Sequence, residues 1–204
     1  RQGDGTSGKT VGHGLDVTPV ISIRKARNAT LDWFVHHTLA DGSMDFLRLN
    51  TTGTNSNSSL SAFTSTTLPV DDNTNQYVSY CWHDVPGYSK FGSYTGNGSA
   101  DGPFIHLGFR PAWFLQKKTS GTGGWYLFDN KRSGFNVDND MLVPNGTDAE
   151  YDGQTYPRLD FVSNGIKWVD AGSSVHNASG ATYIYMAFAE QPGFTNFDTF
   201  PNAR

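Results

Sequence analysis

The sequence predicts an all-β protein, a β-sandwich or jelly-roll built from an internal duplication of about 95 residues. Three observations lead there. No stretch keeps apolar residues at i, i+3, i+4 and i+7 without a Gly, a Pro or a polar cluster inside it; Phe34 to Leu49 comes nearest and is broken at Asp41-Gly42. With 23 Gly and nine Pro in 204 residues, and abundant Asn, Ser and Thr, the chain is cut into short apolar runs separated by turns. The order of those runs then occurs twice.

Each copy opens on a Gly-rich turn, Gly3-Asp4-Gly5-Thr6 and Gly96-Asn97-Gly98-Ser99, followed in the first copy by the apolar Val11 to Leu15. Pro19 leads into the strand Val20-Ile21-Ser22-Ile23-Arg24-Lys25, and adding 92 to each number gives Pro111 and Ala112-Trp113-Phe114-Leu115-Gln116-Lys117. The same shift carries Trp33-Phe34-Val35 onto Trp125-Tyr126-Leu127. Longer connections in the second copy, chiefly residues 136–152, read as surface loops. Leu68-Pro69-Val70-Asp71 is set against Lys167-Trp168-Val169-Asp170. At the end of each copy the shift is 106, matching Tyr77–Tyr88 with Tyr183–Phe194. On that closing strand Val78, Tyr80 and Trp82 correspond to Ile184, Met186 and Phe188, which assigns them to a core face. Ser79 and Cys81 face the other way, as on a central strand covered on both sides.

About six strands per copy are expected, with residues 1–95 as the first repeat and 96–204 as the second. The connection from Pro86 to Thr95 carries Tyr88, Phe91 and Tyr94 and is too aromatic for a free linker, so the copies are expected to pack closely or to form one pseudo-symmetric domain. The start, RQGDGTSGK, reads as a cut into something longer, and the ending NFDTFPNAR as a natural terminus.

Composition narrows the function. A net charge of -4 spread in ones and twos gives no basic stripe for nucleic acid, and no apolar run reaches the roughly 20 residues of a spanning helix. The single Cys81 has no internal disulfide partner and is expected to be a small buried filler. Six Asn-x-Ser/Thr matches, at Asn28, Asn50, Asn57, Asn97, Asn145 and Asn177, are what a chain this rich in those residues produces by chance.

The strings TVGHGL, YCWHDVPGYSKFGSYTGNGSADGPF, GFRPAWF, GGWYLFDN and SNGIKWVDAGSSVHNASGATYIYMAFAEQP resemble a phage-encoded structural family met chiefly in tail fibres and other virion surface proteins. Its members are described as similar to the concanavalin A-like lectin and glucanase fold. The resemblance runs from about Gly3 to Pro192 and identifies a scaffold, with no catalytic or ligand residues to carry over. It implies a virion surface component assembled in a bacterial cytoplasm, partnered by other virion proteins and by copies of itself. Contact with a host-surface glycan is the further expectation; a structural spacer, decoration or assembly role and a tailspike-like polysaccharide hydrolase are the alternatives.

Hydrolysis by a retaining glycosidase needs two carboxylates about 5 to 5.5 Å apart. The two glutamates, Glu150 and Glu190, fall in different parts of the second copy, so no enzyme is expected, and no cofactor. His36 and His37 should point to opposite faces of a strand and not share a metal; His13, His83, His106 and His176 read as surface hydrogen-bonding groups. Asn136-Val137-Asp138-Asn139-Asp140 alternates oxygen ligands, which makes Asp138 and Asp140 a weak calcium candidate. Trp33, Trp82, Trp113 and Trp125 are assigned to the core. Glycan contacts are expected where the copies differ: at Trp168 and Asp170, and at Asp129 and Arg132 together with His37, whose neighbourhood they replace.

Overall fold

A computed structural model describes residues 8–70, 74–133, 136–138, 140–152, 158–169 and 175–191. It is all-β, with fourteen strands and no helix among the described residues. Residues 8–82 contain β1 (Thr10–Gly12), β2 (Ile21–Ala26), β3 (Phe34–His37), β4 (Asp45–Arg48), β5 (Ser56–Asn57), β6 (Thr67–Pro69) and β7 (Tyr77–Trp82). The remainder holds β8 (Ser89–Thr95), β9 (Phe104–His106), β10 (Pro111–Lys118), β11 (Trp125–Asp129), β12 (Leu159–Val162), β13 (Gly165–Trp168) and β14 (Thr182–Ala189).

Four antiparallel sheets result. The first large sheet has the order β5-β4-β3-β2-β7 and the second β11-β10-β14-β8; β1-β6 and β12-β13-β9 are small sheets. Alternation along each strand decides how they stack. Ile21, Val35 and Leu47 of the first large sheet meet Phe91, Leu115, Trp125, Ile184 and Met186 of the second in a common core. The opposite face of the second sheet carries Phe114, Phe128, Tyr183 and Tyr185, sealed by Ile105, Phe161, Ile166 and Trp168 of the three-stranded sheet. The opposite face of the first sheet has a lighter cover, a cluster of Met44, Phe63 and Leu68 with Val11, Leu60 and Cys81 against it.

Pairing in the first half recurs in the second. Ile21 lies opposite His37 and Trp82, and the residues reached by the shifts of 92 and 106, Trp113, Asp129 and Phe188, pair in the same way. Beyond the regular strands, Val35 pairs with Leu47 and Leu127 with Leu142, while Phe46 pairs with Ser56 and Met141 with Tyr151. Side chains follow suit. Asn50 Oδ1 accepts from the Trp33 amide at 2.9 Å and Asn145 Oδ1 from the Trp125 amide at 2.6 Å. Lys25 Nζ donates to the Leu31 carbonyl, and Lys117 Nζ to that of Gly123.

Some expectations need correction. Each half shows seven described strands where about six were expected. β7 is the outermost described strand of its sheet, with Tyr80 49% exposed and Ser79 exposed, because β8 crosses to the other sheet and pairs with β14. Of the two closing strands compared, β14 is the central one covered on both faces, with Tyr183 to Ala187 all buried. Cys81, on the edge strand, is half-buried and not the sealed filler expected; partial burial raises its thiol pKa.

The small sheets show a one-residue slip in the sequence alignment. The Trp168 amide donates to the Pro103 carbonyl as the Val70 amide donates to that of Lys9, and the Leu107 amide to Asn164 as the His13 amide to Thr66. Trp168 therefore matches Val70, not Pro69. A slip of one residue exchanges the two faces of a strand.

Candidate functional site

The residues proposed from sequence do not converge. Trp168 is fully buried among Tyr94, Phe114, Phe128 and His176, with its ring stacked on His176 at 5.1 Å. It is a core residue and offers no plate to a sugar, which corrects the expected glycan contact. Asp170 lies outside the described residues, as does Asp71.

Asp129 and Arg132 do lie together, and they are occupied with each other. Arg132 Nε bonds Asp129 Oδ2 at 2.6 Å, one terminal nitrogen bonds Glu150 at 2.7 Å, and the other reaches the Leu127 carbonyl at 3.2 Å. Burial would raise the Asp129 pKa, but the bonds from Arg132 and from the Lys131 and Arg132 amides outweigh it and lower it. The cluster works as a turn clasp.

His37 is fully buried at the end of β3. Its Nδ1 accepts from the Leu39 amide at 3.3 Å, which leaves the proton on Nε2 to donate to Asn55 Oδ1 at 3.1 Å; Asn55 in turn donates to Asp45 at 2.8 Å. Burial lowers its pKa to about 4 against the opposing pull of Asp45. The expectation that the unpaired histidines are surface groups fails for His176, which is 1% exposed. Its Nδ1 accepts from Gln116 Nε2 at 2.8 Å, and burial lowers its pKa to about 3.

Asp138 and Asp140 share Ser133, whose hydroxyl lies 3.0 and 2.7 Å from their carboxylates, and the Asp140 amide donates to Asp138. Both are buried, and burial raises the Asp138 pKa to about 6. Two carboxylates and one hydroxyl fall well short of the six to eight oxygens that calcium takes. No group of three or more His, Cys, Asp or Glu suited to a metal occurs among the described residues.

A concave feature lies elsewhere, on the outer face of the first large sheet. Arg24 of β2, Phe34 and His36 of β3 and Phe46 of β4 floor a cavity of about 230 Å³, closed at the side by residues 57–60. Arg24 and His36 are 3% and 6% exposed, whereas Asn57 and Ser59 are exposed. The guanidinium of Arg24 lies 4.9 Å over the Tyr77 ring, and that of Arg48 lies over Phe34 and Phe46 at 5.7 and 5.2 Å. Burial, then Arg24 and His37, hold the His36 pKa at about 3, so this imidazole is neutral.

Position by position, the second half carries Gln116, Tyr126, Phe128 and Met141 where the cavity has Arg24, Phe34, His36 and Phe46. There the space is filled by Trp168 and His176. In the first half Val70 stands for Trp168, and the shift between the halves grows from 98 at Val70 to 106 at Tyr77, so the eight further residues that bring His176 into place have no equivalent. The sequence signal for this site is a buried-strand arginine, Arg24, where the other copy has a glutamine.

No curated protein and no solved structure matches this chain. A family model does, from residue 2 to residue 192; the family is described as a domain of unknown function, DUF7483, and the chain belongs to it.

Proposed function

We propose that the chain is a non-enzymatic surface module of a bacteriophage virion, part of a tail fibre or appendage, that contacts host-surface glycans. It works at the virion surface beside other virion proteins and as a homo-oligomer. The observation that carries this reading is that the most recognisable stretch is used up in building the scaffold. In YTGNGSADGPF the Asn97 amide donates to Asn177 Oδ1 at 2.8 Å, the Gly96 amide to the Ala181 carbonyl and the Gly98 amide to the Asn177 carbonyl, both at 2.9 Å. A Cβ on Gly96 would stand 2.3 Å from the Ala178 carbonyl oxygen, and Gly98 has φ +67°, so both positions call for glycine.

The carboxylates support the non-enzymatic part. Glu150 is bound by Arg132 at 2.7 Å, and Glu190 by Arg110 and Lys131 at 2.9 and 3.2 Å. The bond from Lys131 lowers the Glu190 pKa, the opposite of what a general acid at neutral pH needs. An array of bacterial surface polysaccharides probed with the whole chain is expected to show binding to a subset, with no release of reducing sugar. A silent array would leave the spacer role, and sugar release would overturn the reading.

A further inference from the structure

The two halves use equivalent faces differently, one sealed by aromatic rings and the other hollow. A hollow of about 230 Å³ lies below the roughly 300 Å³ at which pockets for drug-sized ligands begin, so it takes one ring-sized group. Its surfaces specify the chemistry of that group. Phe34 and Phe46, with the Arg48 guanidinium over them, line the hollow with apolar ring surface, which suits the C–H groups of a pyranose. Exposed Asn57 and Ser59 at the mouth donate to and accept from hydroxyls. The planar fork of Arg24 has five donors, enough to serve neighbours within the protein and a carboxylate together. None of the residues lining the cavity is acidic.

We propose that this cavity binds a single acidic sugar residue, its ring against Phe34 and Phe46, its carboxylate on Arg24 and its hydroxyls on Asn57 and Ser59. The inference rests on the glycan-contact reading and deepens it, since a carboxylated sugar is a unit that acidic surface polysaccharides display.

Saturation-transfer NMR and calorimetric titration of the whole chain, with glucuronate, glucose and inorganic phosphate as separate probes, test it. Glucuronate should bind, glucose about tenfold or more weakly for want of the charge-assisted bond, and phosphate should not compete. Ser59→Trp, at an exposed position on the rim, should abolish glucuronate binding with the melting temperature unchanged. Arg24→Gln, which installs the second half's residue, should weaken glucuronate to the level of glucose. Failure of glucuronate to bind the unaltered chain, equal binding by Ser59→Trp, or phosphate competing on equal terms would overturn the assignment. Array binding that survives Ser59→Trp would remove the cavity and leave the glycan-contact reading standing; glucuronate binding beside a silent array would do the reverse.

Discussion

Acidification from pH 7 to pH 5 should cost the fold about 5 kcal/mol, a large part of the roughly 5–15 kcal/mol by which domains are stable. The cause is three histidines buried as neutral imidazoles, His36, His37 and His176, with pKa values lowered to about 3, 4 and 3. A group whose pKa is depressed on folding contributes stability that is complete above its unfolded value and is lost as the pH falls. Between the unfolded value of 6.5 and these folded values, only the unfolded chain takes up the protons. That amounts to about 2 kcal/mol for each histidine over the two pH units.

Asp138 opposes them. Its pKa is raised to about 6, so it destabilises the fold at neutral pH and gives back about 1 kcal/mol on acidification. Urea midpoints at pH 7 and pH 5 measure the sum. His176→Gln should flatten the dependence by about two-fifths, because its share of about 2 kcal/mol drops out of the net sum. A stability unchanged between the two pH values would mean that these imidazoles are solvated.

Trp168→Ala should destabilise by about 3–5 kcal/mol, as full truncation of a buried aromatic does. The indole touches Tyr94, Phe114, Phe128 and His176 with ring centroids 5.1 to 6.4 Å away, so its loss opens a void that several rigid rings cannot close. Val70→Ala, at the matching position of the first half, removes a half-buried side chain and should cost about 1 kcal/mol. The contrast between the two substitutions is the difference between the sealed and the open face. Chemical denaturation reads both, and a cost below about 1 kcal/mol for Trp168→Ala would place the indole outside the core.

Strand pairing was legible in the sequence wherever both halves kept bulky residues at fixed spacing. The shifts of 92 and 106, read from Pro19, Trp33 and Tyr77, carry the pairing of Ile21 with His37 and Trp82 onto that of Trp113 with Asp129 and Phe188. Two things were not legible. Around Trp168 the halves share few residues, and a slip of one position turned a core indole into an expected surface plate. The crossing of β8 is a fact of topology: nothing in Ser89–Thr95 itself states which sheet it joins, yet it decides that Tyr80 is exposed and that Met186 is buried. The cavity escaped for a related reason, because it forms between strands and the segment at residues 57–60 that runs out of β5.

The central claim is that the two halves are bound through one core, shared by Ile21, Val35 and Leu47 from one side and Leu115, Ile184 and Met186 from the other. Scanning calorimetry tests it directly. A shared core predicts a single transition whose calorimetric and van't Hoff enthalpies agree, near 140 kcal/mol for a chain of this length at about 60 °C. Two resolved transitions, or a van't Hoff enthalpy about half the calorimetric one, would show that the halves are separate sandwiches.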